Sequence, residues 1–354
     1  MLFYQPAQEG IARRLATSRA RRCRRRLRIF GLCFVALLAV SAQAWNDLGH
    51  RAIAIGAMRL LPDATQQRVL ATLKAHPRYT QDIEHLQPRG LGSFSAAEWQ
   101  IGQAATWPDI ARGFEHAWFW QRSSLRERYH RGHWHYINFP VYLDPLDQRP
   151  PIADPSVGCR DASCTDPANV LEALELIERE FADPATSAAQ RGLGLAWALH
   201  LLGDAHQPLH SSALFDVVGW PRGDRGGNDL MVDETLNLHA FWDRALLATG
   251  GTPEIAGLVD TLTQGAPDVL PRVRPDIEAL LRESHKVAKQ AVYGPLLDQL
   301  RDKKSQLVLD ADYRSQATKA ALQQGQRAVL RTAAWLQSIF SDPVVGPVVE
   351  NAAN

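Results

Sequence analysis

The chain has 354 residues, 45% hydrophobic and 22% charged, with a formal net charge of +1. The charge is unevenly spread: residues 1–44 hold nine of the 39 Lys+Arg and one of the 38 Asp+Glu, which leaves 30 positive and 37 negative groups, a net of −7, on the rest. That remainder is long enough for one large domain or two small ones, and its acidity excludes capture of phosphates by a general positive field.

In chain order, the first segment reads as a targeting signal. Arg19, Arg21, Arg22, Arg24, Arg25, Arg26 and Arg28 form a positive n-region, and Ile29 to Val40 is an apolar stretch too short to span a bilayer. Ala42-Gln43-Ala44 supplies the small residues of a cleavage site. The expectation is an exported protein, periplasmic or secreted, with residues 1–44 removed and no membrane anchor left. Cys23 and Cys33 leave with the signal. Cys159 and Cys164, in "CRDASC", remain as disulfide candidates in an oxidising compartment. Such a bridge closes a very short loop and stabilises by less than the ~3 kcal/mol of a 15-residue loop.

Beyond residue 44 most segments carry helical periodicity. "HRAIAIGAMRLL" and "TQQRVLATLKA" repeat apolar residues at three-and-four spacing. "PANVLEALELIEREFA" starts with Pro167 in a capping context and keeps Leu171, Leu174, Ile177 and Phe181 in register. "AAQRGLGLAWALHLLGDAHQPLH" is a strongly apolar helix expected to stop at Pro208. "ETLNLHAFWDRALLA", "PEIAGLVDTLTQ", "RPDIEALLRESHKVAKQAVYGPLLDQL" and "QATKAALQQGQRAVLRTAAWLQSIF" continue the pattern. Strand-like alternation is confined to "WHYINFPVYL" and "NDLMVD", and the Pro- and Asp-rich segment from Pro140 to Pro167 reads as a long irregular loop, functional or disordered. The expected architecture is all-α: a single domain of packed helices with a few short strands over residues 45–340, and a loose tail over 341–354.

The metal-ligating residue types are grouped. His200 and Asp204 lie four apart, on one helix face, among Leu199, Leu201 and Leu202. An imidazole and a carboxylate in such a setting need partners, and a cation satisfies both. Pro208 turns His210 back toward them, and His239 and Asp243 repeat the four-residue device. Together these make a zinc inventory of nitrogen and oxygen donors. Asp109 stands just after the expected helix-ending Pro108, with Arg112 three residues on. His133 and His135 are two apart, on one side of the expected strand. His50 follows the cleavage site. His76, His85, His116, His130 and His285 read as ordinary surface or structural histidines.

On an N-terminal Trp followed by "GH", on "TWPDIAR", "HYIN", "HLLGDAHQPLH", "GGN" and "NLHAFWD", in that order, the chain resembles the trinuclear zinc nucleases. These are secreted single-strand-specific nucleases and 3′-nucleotidases of the phospholipase C/nuclease fold. The resemblance implies three Zn²⁺. Asp109, His135, His200 and Asp204 hold the first; His210, His239 and Asp243 hold the second. The third uses the α-amino nitrogen and carbonyl oxygen of Trp45 with His50 and a bridging Asp204, so the Trp45 indole is secondary and its free amine, created by cleavage, is essential. The implied reaction is attack on phosphorus, in line, by a hydroxide shared between zinc ions, leaving a 5′-phosphate. Asp109 would orient or deprotonate the water and Arg112 clamp the transition-state charge. Tyr136 stacks a base and Asn138 hydrogen-bonds it, although Asn138 departs from the aspartate of fungal members. Asn228 positions a ligand or phosphate. The "CRDASC" loop is similar to a short disulfide loop of fungal members, whose second, longer disulfide has no cysteines here. The implied partner is single-stranded nucleic acid or a 3′-nucleotide, with no protein partner. The competing functions are a zinc phospholipase C acting on phospholipid and a non-catalytic exported zinc-binding protein.

Overall fold

The computed structural model describes residues 45–341 except 88–90, 113–118, 159–160, 162, 164, 248–254, 271–272, 303 and 305, and leaves out the side chains of 119–123. The expected targeting segment, Cys159, Cys164 and the tail beyond Ser341 therefore lie outside the described residues.

Two helices form the interior. Helix α1 (Asp47–Arg59) is capped by Asn46, whose side chain accepts from Gly49 N, and buries an unbroken run from Ala52 to Met58. Such all-round burial needs neighbours on several sides. They are α3 (Ala96–Ala111), α8 (Ile255–Thr263) and α11 (Ala311–Phe340). Helix α6 (Ala188–Asp204) is the second interior element, buried continuously from Gly194 to Asp204 and begun by a Ser187–Gln190 capping box. It packs on α3, on α2 (Asp63–Lys74) and on α5 (Val170–Ala182). The remaining helices, α4 (Phe119–Tyr129), α7 (Leu238–Asp243), α9 (Ile277–Val287) and α10 (Leu297–Arg301), lie around this pair. Helix α11, about 45 Å long at 1.5 Å per residue, runs along α1 and α6 and closes the core with Trp335, Leu336 and Val329. The all-α expectation is borne out.

Several local expectations are corrected. Asn169 caps α5, accepting from Leu171 N and Glu172 N, because a carboxamide satisfies free helix amides and Pro167 cannot. Helix α6 ends at Asp204, before Pro208, which instead opens a short 3₁₀ turn at Pro208–His210. Pro108 lies inside α3 and does not end it, so Asp109 is a helical residue. The expected strand "WHYINFPVYL" is strand only over β1 (Phe139–Tyr142); Gly132–His135 is a 3₁₀ turn. Strand β1 pairs in parallel with β2 (Ser212–Phe215), a partner too distant in the chain for local alternation to reveal. "NDLMVD" forms a single bridge, Met231 to Asn237. The stretch after α9 breaks into a π-helical turn at Ala288–Tyr293 and a 3₁₀ turn containing Pro295 before α10, since proline offers no N–H to continue the ladder.

Candidate metal centre

The C-terminal halves of α3 and α6, the turn at Gly132–His135 and helix α7 converge on one buried polar cluster. Three groups of side chains there bring one nitrogen or oxygen each within 4.8 Å of one another: His50, His200 and Asp204; Asp109, His135 and His200; and His210, His239 and Asp243. All are buried, with Asp204 and His200 fully inaccessible.

Asp204 is the hub. Its Oδ2 lies 3.0 Å from His135 Nδ1 and 3.2 Å from His200 Nε2. Its Oδ1 lies 3.3 Å from His50 Nε2 and 3.7 Å from His210 Nδ1. Beyond it, His210 Nε2 and His239 Nε2 stand 3.1 Å apart and face Asp243 at 3.9 and 3.7 Å. Asp109 Oδ2 reaches His200 Nε2 at 4.0 Å. The His50 and His200 rings stack with centroids 4.0 Å apart. That stacking needs Gly203: a Cβ there would sit 2.8 Å from His50 Nδ1.

The other ring nitrogens are committed to the backbone. His200 Nδ1 donates to Ala105 O at 2.7 Å, His210 Nδ1 to His135 O at 2.6 Å and His239 Nδ1 to Gly226 O at 2.7 Å. A carbonyl only accepts, so each Nδ1 carries a proton and each Nε2 is the nitrogen turned into the cluster, the arrangement of metal-binding histidines. Ile137 N in turn donates to His210 O at 2.7 Å, so the segment His135–Ile137 and His210 are tied by one side-chain and one backbone bond just before the β1–β2 pair.

Several buried donors and acceptors in the cluster have no hydrogen-bond partner: both ring nitrogens of His50, both oxygens of Asp109, His135 Nε2, Asp204 Oδ1 and Asp243 Oδ2. Bare buried polar atoms are costly unless something satisfies them. A set of imidazole nitrogens and carboxylate oxygens converging in this way fits divalent cations.

Charges in the metal-free cluster follow from burial and proximity. Burial opposes the Asp204 carboxylate, yet His200 and His210 and the bonds from His135 and His200 hold it well below the usual range. Burial likewise opposes the His200 imidazolium, and Asp204 and Asp109 outweigh it, raising His200 to about 9. Burial lowers His135 to about 4 and His239 to about 3. Asp243 is pushed well above its ordinary value by burial, against the bond from Gln207 Nε2 at 2.7 Å and with the repulsion of Asp204 and Asp109.

Of the expected site residues, His50, Asp109, His135, His200, Asp204, His210, His239 and Asp243 are brought together. His133 is not: its side chain is 44% exposed and pairs at 3.9 Å with Asp166, because in a 3₁₀ turn residues two apart diverge. Arg112 caps α3 and lies 3.7 Å from Asp109 Oδ1, one edge of the cluster. Tyr136 is exposed and Asn138 partly buried beside it. The Asn228 carboxamide is used within its own loop: Nδ2 donates to Arg225 O at 2.8 Å and Oδ1 accepts from Asn237 Nδ2 at 3.4 Å.

Trp45 corrects the expectation for its indole. The ring is fully buried and Nε1 donates to Gly203 O at 3.0 Å, one residue before Asp204, while Asn46 N donates to Asp243 O at 3.1 Å. The indole is an anchor that lays Trp45 and Asn46 against the backbone beside two of the clustered carboxylates. Sequence reading also missed Gln207, noted above, and Asp224. The Asp224 carboxylate is fully buried, accepts from Leu214 N, from Tyr293 Oη at 2.8 Å and from the amides of Gly226 and Gly227, and is pushed up by burial to about 6. It holds the turn in which Gly226, at φ +63°, aims its carbonyl at His239. The available signal was an acidic residue set among the glycines of "GDRGGND".

Residues 45–341, the whole stretch that builds this cluster, match the S1/P1 nuclease family. The chain belongs to that family. A curated relative within reach is Nuclease S1 of Aspergillus oryzae, 25% identical over 211 residues, covering 58% of this chain and 55% of that protein. The chain thus spans about half the length of the relative it matches. Among the described residues of this S1/P1 family member, no helix is long and apolar enough to cross a membrane.

Proposed function

We propose that the protein is a zinc-dependent phosphodiesterase that hydrolyses single-stranded DNA or RNA to 5′-phosphate products and also removes 3′-phosphates from nucleotides. The observation that carries this reading is the triplet of Nδ1-anchored histidines converging on buried, unpartnered carboxylate oxygens. Asp109, His135, His200 and Asp204 would hold one zinc ion; His210, His239 and Asp243 a second; and Trp45, through its amine and carbonyl, with His50 and Asp204, a third. When bound, zinc lowers the pKa of water toward neutrality and neutralises phosphate oxygens, which is how an otherwise acidic protein takes a polyanion.

The chain's own groups do the rest. Asp109 accepts the proton of the attacking water, and Arg112, 3.7 Å away, keeps that carboxylate charged and faces developing negative charge on phosphorus. Tyr136, exposed beside His135, offers its ring to a base, and Asn138 can both donate to and accept from the base edge. Asn228 acts at one remove, bracing the loop that orients His239. The amine of Trp45 exists only after cleavage behind Ala44, so the reading includes export with loss of residues 1–44.

The test is a paired assay on single-stranded nucleic acid and on phosphatidylcholine, with the bound metal counted. Nucleic-acid hydrolysis that disappears with chelator and returns with zinc is expected. Cleavage of lipid alone overturns the substrate assignment; zinc without turnover of any phosphodiester leaves a binding protein.

A further inference from the structure

A second cavity lies beside the metal groups, lined in part by the last residues of a basic stretch of sequence. Residues 112–131 hold five Arg and two Glu, in a region of the chain whose net charge is −7. His130 lies within this stretch, its imidazole acted on by Arg112, Arg126, Asp109 and Arg131 together. At its far end a cavity of about 230 Å³ is lined by Arg128, Tyr129, Arg131, Trp134, Glu180 and Trp197, among others. Trp197 is the shared wall: its ring is 5.0 Å from that of Trp134 and 5.5 Å from that of His135.

The polar groups on this cavity are not paired with one another. Trp134 Nε1 is buried without an acceptor. Arg128 lies over the Tyr129 ring at 5.2 Å and Arg131 over the Trp134 ring at 6.0 Å, and among the described residues neither has a carboxylate within ion-pair distance. The Glu180 carboxyl is half-buried, raised by that burial, and makes no hydrogen bond among the described residues.

These groups select among ligands. Two guanidiniums disfavour a purely apolar molecule, while aromatic walls and a carboxylate disfavour a bare inorganic anion. A nucleotide needs all three: a face to stack on, an acceptor for its base N–H groups, and cations for its phosphate. We propose that this cavity is a subsite for one further nucleotide, with its base against Trp134, its phosphate on Arg128 and Arg131, and Glu180 accepting from the base edge. An ionised carboxylate is acceptor-only, so guanine, with adjacent ring and exocyclic N–H donors, fits it best. The cavity is too small for more than about one nucleotide, being below the roughly 300 Å³ of ordinary ligand pockets. The inference rests on the nuclease reading insofar as that nucleotide belongs to the strand being cut.

The test uses the metal-loaded chain with Arg128→Ala and Glu180→Gln, neither of which touches the metal groups. On an oligonucleotide of about ten residues, Arg128→Ala is expected to raise KM about five- to tenfold with kcat unchanged, the scale of one lost hydrogen-bonded phosphate contact. On a 3′-mononucleotide, which has no second nucleotide to place in the cavity, KM stays the same. Tryptophan-fluorescence titration with 5′-GMP and 5′-UMP is expected to show tighter binding of GMP, a preference that Glu180→Gln abolishes. Unchanged oligonucleotide KM with unchanged GMP binding overturns the subsite. An equal rise on the 3′-mononucleotide also overturns it, since Arg128 then acts on the metal centre at large. GMP binding lost in Arg128→Ala without any effect on oligonucleotide KM assigns the cavity to free nucleotide and overturns its place on the strand. A wild-type chain that cuts no nucleic acid, yet binds GMP through Arg128, sinks the nuclease reading and keeps the nucleotide site.

Discussion

Two buried polar layers meet near the C-terminal end of α6, and they differ in how completely they are satisfied. On the α11 side, His206 donates Nδ1–H to Leu202 O at 2.7 Å and accepts from Arg331 at 3.2 Å. Arg331 and Arg327 share Glu283, Gln324 Nε2 donates to His206 O and Ser284 Oγ at 3.0 Å each, and Ser284 donates to Ala205 O at 2.6 Å. On the α3 side, His200 and Asp204 belong to a layer in which several nitrogens and oxygens have no hydrogen-bond partner. The first layer is complete as protein. The second leaves donors and acceptors open in an arrangement that fits cations, and the difference, not the mere presence of histidines, marks a candidate ligand site.

The comparison breaks first at Asp204. Asp204→Asn should remove the shared acceptor, lower kcat/KM by more than about a hundredfold, beyond the usual loss for an outer-shell partner, and release at least one metal ion by elemental analysis. Full activity with full metal content would show that the hub is structural. Next, a chain bearing extra residues before Trp45 should lose one zinc and most activity, read by intact mass and metal count; full activity with such an extension refutes ligation by the amine. Asp224→Asn acts through Gly226 on His239 and should cost about ten- to a hundredfold in affinity for the metal at that group, measured by competition with a chelator, while the other groups keep theirs.

A pH series sharpens the contrast further. In the metal-free protein His200 is raised to about 9, so the stability it contributes is full below its unfolded value near 6.5 and is lost as pH rises through 9. Raised Asp243 works in the same sense. The Tm of chelator-treated protein should therefore fall between about pH 6.5 and 9, and zinc should flatten that slope, because binding displaces the His200 proton. A metal-free Tm that rises over this window would contradict the charge assignment. The smallest effect on function is expected in the satisfied layer: Gln324→Ala should cost about 1–3 kcal/mol of stability by leaving buried partners unmet, with metal content and activity unchanged.

Much of this was readable in the chain. The His200–Asp204 and His239–Asp243 pairs follow from helical spacing, which brings residues four apart onto one face whatever the tertiary context. His206 was not separable by the same rule, because two residues past Asp204 its direction depends on where the helix stops, and α6 stops before Pro208. His133 and His135 were placed together on a strand that begins only at Phe139, since the parallel partner that defines it comes from Ser212–Phe215. Asp224 stayed hidden for a different reason: it acts through a backbone carbonyl, and no spacing of side chains encodes that.

The backbone bond from Ile137 N to His210 O, continued by the β1–β2 pairing, makes one dimension of the centre a property of main chain. Side-chain substitutions retune how strongly each donor holds its ion by small rotations. The span between the group at His135 and the group at His210 changes only if β1 slides along β2, and a slip of one residue would turn Phe139 and Val141 out of the core. The fold therefore acts as a fixed gauge: evolution or engineering can adjust affinity at either end of it, but not the length against which a bound group is measured.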